Sequence, residues 1–190
     1  MDSAALDADW CEKLKDDVRF SLEWYREHQT TRELLESDVL YGNVIEFGCG
    51  IGARAYIAWL SSMAPDITGV DGSPFAIKQA LNRGFGRTKL EFCCADLLAL
   101  PYRENDFQNG YMLAVIEHIE DTDKLLSECK RVIAPGGKLF VSVTDRNYHY
   151  DEHHVHAYNA RGLGRILGAV GKHIRVYVKD HIIYATVEVE

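Results

Sequence analysis

Residues 44–52 read Val-Ile-Glu-Phe-Gly-Cys-Gly-Ile-Gly. The run starts as a short apolar segment, turns through three closely spaced glycines and passes at once into a helical pattern. Glycine permits tight backbone geometry and close approach of a ligand. The free N–H groups at the start of a helix attract anionic groups. The stretch therefore predicts a strand, a ligand-binding turn and a helix in direct succession.

The residues that follow repeat this alternation of short apolar runs and helical stretches. Strands that alternate with helices in this way form βαβ units and a parallel sheet. The predicted elements are a strand at 43–47, a helix at 52–63, a strand at 67–71, a helix at 74–83, a strand at 89–93, a fourth strand that includes 111–114, a helix at 121–134 and a strand at 138–144.

The end of the chain departs from this rhythm. A predicted helix at 158–170 leads to two apolar runs, 173–179 and 181–188, with almost nothing between them but Asp180. A parallel crossover needs a dozen or more residues, so these two strands must be antiparallel neighbours. We therefore expect a doubly wound α/β fold whose seven-stranded sheet is mostly parallel, with one antiparallel strand near the C-terminus.

The first 39 residues differ from the rest. Apolar residues recur at three- and four-residue spacing over 8–29, which predicts an amphipathic helix, and a second helical stretch covers about 30–38. We expect 1–39 to be a helical lid over a domain formed by 40–190. Trp24, Tyr25 and His28 are candidates to face its pocket.

Composition narrows the class of protein. The chain has 190 residues and a formal net charge of −8, and an acidic surface repels phosphate backbones, which argues against a nucleic-acid partner. An odd number of cysteines, five, without a Cys-x-x-Cys pair fits a reducing compartment. No signal-peptide pattern and no apolar stretch of membrane-spanning length is present. We expect a cytoplasmic protein without a membrane partner; the oligomeric state stays open.

Two carboxylates follow the next two predicted strands. Asp71 ends the second strand, 23 residues beyond Gly48, and a carboxylate there can accept hydrogen bonds from both hydroxyls of a ribose. Asp96 follows the third strand and could accept from an adenine amino group. Ligands of such sheets bind at the carboxyl ends of the strands, so the glycine turn, Asp71 and Asp96 predict one nucleoside site.

These motifs resemble, in order and spacing, those of the class I S-adenosylmethionine-dependent methyltransferases. The resemblance covers about residues 40–190 and departs from the common pattern at Phe107-Gln108, where members often have Phe-Asp. The matching segments are Glu46-x-Gly48-x-Gly50-x-Gly52, Gly69-Val-Asp71-Gly-Ser-Pro, Ala95-Asp96-Leu-Leu-Ala-Leu-Pro101, Ala114-Val-Ile-Glu-His118 and residues 125–143, which include Ala134-Pro-Gly-Gly.

The resemblance implies a role for each cofactor-binding residue. Asp71 would bind the ribose of S-adenosylmethionine, Asp96 with Leu97 would bind its adenine, and Glu46 would help hold its amino group. The remaining cofactor-binding candidates would lie along the methionine part or beside these residues; they are Gly48, Cys49, Gly50, Gly52, Gly72, Met112 and Leu113.

A dinucleotide-binding dehydrogenase is the other reading of the glycine turn, since Gly48-x-Gly50-x-x-Ala53 fits that fingerprint as well. Glu46 argues against it, because a carboxylate repels a pyrophosphate but favours an amine and a sulfonium. A dinucleotide fold also does not need the antiparallel finish, and such enzymes usually carry a second substrate domain.

The catalytic candidates are histidines after the fourth and fifth strands. His118 lies just past the fourth strand, and His154 and His156 lie in the polar stretch 148–156; we expect one of them to take the acceptor's proton. The same stretch, with Asp151, Glu152 and His153, could bind a metal ion. We expect none, because similar enzymes often have a Glu-His-x-His stretch there, a polar lid whose histidines cap and stack. Small-RNA 2′-O-methyltransferases place a metal between a Glu-x-x-Glu-His motif and a later histidine, but Ala114 replaces the first of those glutamates here.

The sequence thus predicts methyl transfer from S-adenosylmethionine to oxygen or nitrogen of a small molecule. Two alternatives stay open. One is a module that binds S-adenosylmethionine without turnover, and the other is a metal-dependent RNA 2′-O-methyltransferase.

Overall fold

A computed structural model describes residues 28–61, 66–83, 86, 88–147 and 154–190. These residues form a seven-stranded sheet that is mostly parallel and is flanked by helices. The chain falls into two compact units that divide between Leu97 and Leu98. The predicted doubly wound α/β fold is confirmed.

The first unit contributes three parallel strands in the order β3-β2-β1. The strands β1 and β2 are each followed by a crossover to a parallel neighbour, as the alternating pattern predicts. Its described elements are α1 (Gln29–Glu36), β1 (Asn43–Phe47), α2 (Ala53–Ser61), β2 (Asp66–Asp71), α3 (Pro74–Asn82) and β3 (Leu90–Cys94).

The second unit contributes four strands in the order β4-β5-β7-β6. The strand β7 runs antiparallel to both β5 and β6, so the predicted tight connection at Asp180 and the single antiparallel strand are confirmed. The described elements are β4 (Asn109–Leu113), a 3-10 turn (Ile116–His118), α4 (Thr122–Val132), β5 (Lys138–Thr144), α5 (Ala160–Leu167), β6 (Gly171–Lys179) and β7 (Ile182–Val189).

Burial of the strands explains their unbroken apolar runs. In β4 all five residues are buried, and in β1 only Asn43 is not. A parallel strand covered by helices on both faces buries every side chain, not every second one. Glu46 is therefore an acidic residue in a strand position that otherwise favours apolar side chains.

The helix boundaries follow capping side chains. Ser73 caps α3, its hydroxyl accepting from the Ala76 N–H at 3.0 Å, with Pro74 at the first turn. Asn159 caps α5 by accepting from the Gly162 N–H at 2.8 Å. That cap is why α5 begins at Ala160, two residues after the predicted start of the helix.

The turn before β5 needs both of its glycines. Gly136 has φ of +82°, a conformation that side chains disfavour. A Cβ at Gly137 would overlap the backbone carbonyl oxygen of Gln108. The Pro135-Gly-Gly signal therefore marks a close approach of two backbone segments as well as a turn.

The predicted helix at 8–29 falls almost wholly on residues 1–27, outside the described residues, as do Trp24 and Tyr25. The boundary between a lid and a domain at residue 39 therefore stays a prediction. Within the described part of the chain, no helix is long and apolar enough to cross a membrane.

Candidate functional site

The glycine turn is folded tightly against the end of β2. The backbone N–H groups of Gly48 and Cys49 both donate to the Val70 carbonyl, at 2.8 and 2.9 Å. Gly48, Gly50 and Gly52 all have positive φ, at +71°, +53° and +74°. Three such positions in five residues require glycine, because other residues adopt this region at a cost.

Asp71 holds this turn in place. One carboxylate oxygen accepts the Gly50 N–H at 2.8 Å, and the other accepts the Ser73 N–H at 2.9 Å. Each carboxylate oxygen has two acceptor sites. Asp71 is thus a fixed, ionisable acceptor at the carboxyl end of β2, as a ribose-binding residue needs to be.

Gly50 and Gly52 serve different purposes. A Cβ built on Gly50 meets nothing within 4 Å, so this part of the main chain borders open space beside Asp71. A Cβ on Gly52 would lie 2.6 Å from the Phe92 ring and 2.9 Å from Ala80 Cβ. Gly52 therefore lets the turn pack, while Gly50 leaves room for a ligand to approach the backbone.

The turn lies in an acidic environment. Glu46 is only 2% exposed. Burial is the main cause that raises the pKa of the Cys49 thiol well above its usual range, and the nearby carboxylates of Glu46 and Asp71 raise it further. Negative charge at this position favours a cationic ligand. Cys49 itself is buried and stays a thiol, so it contributes to the site through its backbone.

Asp96 comes next to Asp71 through strand pairing. Asp71 is in register with Cys94 on β3, and the Ala95 N–H donates to the Asp71 carbonyl at 3.0 Å. Asp96 is exposed, and Leu97, which follows it, is buried. The first unit therefore brings together the predicted ribose and adenine residues at one edge, with Gly72 between the two strand ends.

Met112 and Leu113 lie at the carboxyl end of β4 in the second unit. Both are buried. The 3-10 turn that follows carries His118, which is exposed.

The predicted catalytic histidines meet at this turn. The N–H groups of Val155 and His156 donate to the Glu117 carbonyl, at 2.9 and 3.1 Å, and so fasten the segment 154–156 to the turn. The rings of His118 and His154 pack edge to face, with centroids 4.8 Å apart. His156 contacts the Glu120 carbonyl through Nε2 at 3.0 Å.

Glu117 is a site residue that the sequence-based set omitted. It is 1% exposed, and neither carboxylate oxygen has a hydrogen-bond partner among the residues described. Burial raises its pKa to about 7; the backbone N–H groups of Glu117 and Thr144 are near enough to offset part of the rise but form no well-aligned hydrogen bond to it. One ligand atom from each of Glu117, His118 and His154 lies within 4.8 Å of the others. The Glu117-His118 pair was the signal in the sequence.

The remaining metal-ligand candidates of the stretch 148–156 cannot be placed in this cluster. Asp151, Glu152 and His153 lie outside the described residues.

Comparison with known proteins identifies the family of this chain. A family profile described as "Methyltransferase domain" matches residues 45–141, which include the glycine turn, Asp71, Asp96 and His118. A ubiquinone biosynthesis O-methyltransferase of Coxiella burnetii is 30% identical over 107 residues, 56% of this chain and 45% of that protein. A phosphoethanolamine N-methyltransferase of Triticum aestivum is 32% identical over 117 residues, 60% of this chain and 23% of that protein. The chain thus spans about half the length, or less, of these curated relatives.

A solved structure confirms the fold. The PH0226 protein of Pyrococcus horikoshii superposes with a TM-score of 0.76 at 17% identity, over 94% of this chain and 98% of that one.

The structure is that of an α/β protein with an acidic glycine turn at the carboxyl ends of its strands. The match over 45–141 covers half of the chain, and the chain belongs to the methyltransferase domain family. A relative of Mycobacterium tuberculosis that is 29% identical over 123 residues is named a probable S-adenosylmethionine-dependent methyltransferase.

Proposed function

We propose that this protein transfers a methyl group from S-adenosylmethionine to an oxygen or nitrogen atom of a small-molecule acceptor. The observation that carries the proposal is the acidic glycine turn, in which Asp71 fixes the Gly50 N–H at 2.8 Å beside open space. S-adenosylmethionine supplies a methyl group on a positively charged sulfur, which suits this charge.

The residues that we propose to contact the cofactor are those that the sequence indicates. Asp71 accepts from the ribose hydroxyls, and Asp96 and Leu97 hold the adenine. Glu46 stabilises the amino group, and the backbone of the glycine turn lies along the methionine part. The flanking residues Cys49, Gly72, Met112 and Leu113 complete the set.

The proposed chemistry is an in-line displacement at carbon. The carbon–sulfur bond breaks as the bond from the acceptor atom to the methyl carbon forms, and the sulfur keeps the electron pair. The acceptor loses one proton, which we assign to His118 or His154 as the general base. His156, whose Nε2 contacts the Glu120 carbonyl at 3.0 Å, would hold the segment 154–156 in position.

Two observations support a small acceptor. The net charge of −8 disfavours a polyanion. The names of the relatives specify an O-methyltransferase of ubiquinone biosynthesis and a phosphoethanolamine N-methyltransferase, so both acceptor atoms occur among similar proteins.

The test combines calorimetry with a methyl-transfer assay. Wild-type protein is titrated with S-adenosylmethionine and then assayed against a panel of phenols, amines and a short RNA. We expect saturable binding and turnover with a phenol or an amine.

Three other outcomes would contradict the proposal. Binding without turnover on any acceptor would support a cofactor-binding module. Turnover confined to the RNA would support the nucleic-acid alternative, and absence of cofactor binding would remove the methyltransferase function altogether.

A further inference from the structure

We propose that Glu117, His118 and His154 form a binding site for one divalent transition-metal cation. The sequence alone led us to expect no metal, because histidines in such a stretch usually cap and stack in a polar lid. The stretch 148–156 and the Glu117-His118 pair are also far apart along the chain. Folding joins them, since the segment 154–156 is hydrogen-bonded to the Glu117 carbonyl through two backbone N–H groups.

The donor atoms are close enough to share one ion. Each residue offers a ligand atom within 4.8 Å of the other two. Donors that lie about 2.0–2.2 Å from a tetrahedral zinc ion are about 3.4 Å from one another. Side-chain rotations that bring these atoms together by up to about 1.4 Å would therefore complete the coordination.

The burial of Glu117 is the second observation, and it is independent of the spacing. A carboxylate that is 1% exposed and has no hydrogen-bond partner for either oxygen, within the described part of the chain, is costly to keep in a folded protein. A cation supplies the missing partner. The two imidazoles beside it provide neutral nitrogen ligands on the more exposed side.

The donor set selects the kind of cation. Two imidazoles and one carboxylate suit zinc, iron(II), manganese(II) or cobalt(II), whereas magnesium prefers oxygen donors and retains its water. Three protein ligands also leave a coordination position open for water or a substrate atom, as catalytic zinc sites do. The site therefore predicts tight binding of zinc and weak binding of magnesium.

If the proposed methyl transfer holds, the cation changes the role of the histidines. A ring nitrogen that ligates a metal cannot also take a proton. The cation would instead polarise the acceptor atom and lower the pKa of its proton, which then leaves to solvent. This consequence rests on the proposed function, but the binding of the metal does not.

The experiment is a calorimetric titration of the full chain, stripped with a chelator, with Zn²⁺ alone and then with Mg²⁺ alone. The variants are Glu117→Gln, His118→Ala and His154→Ala. The control is His173→Asn, which removes an exposed histidine of β6 at φ of +53°, a conformation that asparagine tolerates. Cobalt(II) absorption spectra of the same proteins report directly whether nitrogen ligands bind.

We expect one zinc ion per chain in the wild type and in His173→Asn. Each of the three cluster variants should lose about tenfold or more in zinc affinity. The Glu117→Gln variant keeps the shape of the side chain and removes a buried charge, so we expect it to fold. A loss of zinc affinity in this variant then reports the loss of a ligand and not the loss of structure. Thermal melting without metal verifies folding of all four variants.

The inference is wrong if zinc binds the three folded cluster variants as tightly as it binds His173→Asn. It is equally wrong if the wild type binds no zinc, or if it binds magnesium with the same affinity as zinc. These readouts need neither cofactor nor acceptor, so a protein that binds zinc but transfers no methyl group would contradict only the proposed function.

Discussion

The Asp71 carboxylate and the Gly50 backbone are joined by a hydrogen bond of 2.8 Å that spans 21 residues of sequence. It ties the end of β2 to the turn after β1, and both oxygens of the same carboxylate are anchored by backbone N–H groups. A side chain held in this way keeps its carboxylate in a fixed orientation. The proposed ribose-binding role of Asp71 therefore depends on the shape of the turn.

Asp71→Ala should weaken S-adenosylmethionine binding by about 1–3 kcal/mol, because ribose hydroxyls lose a charged acceptor. Calorimetry measures the change. Asp66→Ala, at the other end of β2, is the matched control: Asp66 is exposed and pairs only loosely with Lys89 at 3.7 Å. Equal affinity in the two variants, or tight binding of NAD by the wild type, would contradict the assignment.

The variants Gly50→Ala and Gly52→Ala should distinguish the glycine that admits the cofactor from the glycine that the fold needs for packing. Both pay the cost of a side chain at positive φ, about 1–3 kcal/mol. Only Gly52→Ala adds an overlap with the Phe92 ring, which should lower the free energy of unfolding by about 1–3 kcal/mol more. Denaturant unfolding should therefore show the larger loss for Gly52→Ala, and calorimetry should show weaker cofactor binding for Gly50→Ala. A larger loss of stability in Gly50→Ala would refute this division.

His118→Ala and His154→Ala should each lower turnover about 10²–10⁴-fold and leave cofactor affinity nearly constant, because each side chain helps to remove the acceptor's proton, as a base or as a ligand of the proposed cation. Steady-state rates and calorimetry on the same preparations test this, with His173→Asn as the control. Turnover within a few-fold of wild type in both variants would mean that alignment of the reactants alone carries the reaction.

Arg131 stabilises the second unit by holding the residues that follow Leu97. Its guanidinium forms a fork with the Glu128 carboxylate, at 2.8 and 2.7 Å, and also donates to the carbonyls of Leu100 and Tyr102. Arg131→Ala leaves Glu128, whose side chain is 8% exposed, without its counter-ion. We expect a loss of about 2–4 kcal/mol in the free energy of unfolding.

Lys130→Ala, the exposed neighbour on α4, is the control for Arg131 and should change stability little. The pKa of Glu128 is lowered mainly by its hydrogen bonds from Arg131. Stability from this pair is therefore present above the ordinary carboxyl pKa of 4.5 and is lost as the pH falls through the lower folded value. An Arg131→Ala variant as stable as Lys130→Ala would show that the fork contributes nothing.

His28 should make stability depend on pH. Its Nδ1 accepts the Thr30 N–H at 3.3 Å at the start of α1, and burial, assisted by the Arg54 charge, lowers its pKa from 6.5 to about 4. The unfolded chain therefore binds more protons between these values, and stability falls as the pH is lowered from 6.5 to 4. In His28→Asn, which keeps a capping acceptor, this part of the pH dependence should disappear from melting curves; if the slope is unchanged, His28 is not its source.

The sequence determined the architecture because the pattern is local. Strand β1 was predicted at the bounds that the structure has, since a short apolar run followed by glycines has few alternative structures. The tight connection at Asp180 fixed the antiparallel finish, because two residues cannot cross over a sheet. Asp71 and Asp96 were identifiable for a related reason: the ends of adjacent parallel strands meet at one edge.

Only the tertiary structure determined the contacts between residues that are distant in sequence. Three facts of packing are not contained in the periodicity of the sequence. Asp71 fixes Gly50, Gly52 leaves room for the Phe92 ring, and Glu117 is buried without a hydrogen-bond partner among the residues that the structure describes. The Glu117, His118 and His154 cluster is the main case. Its histidines lie 36 residues apart and meet only because two backbone N–H groups fasten one segment to the other. The pattern of apolar residues along the chain predicts which faces of helices and strands are buried. The free energy of a buried carboxylate depends instead on the atoms that surround it in space.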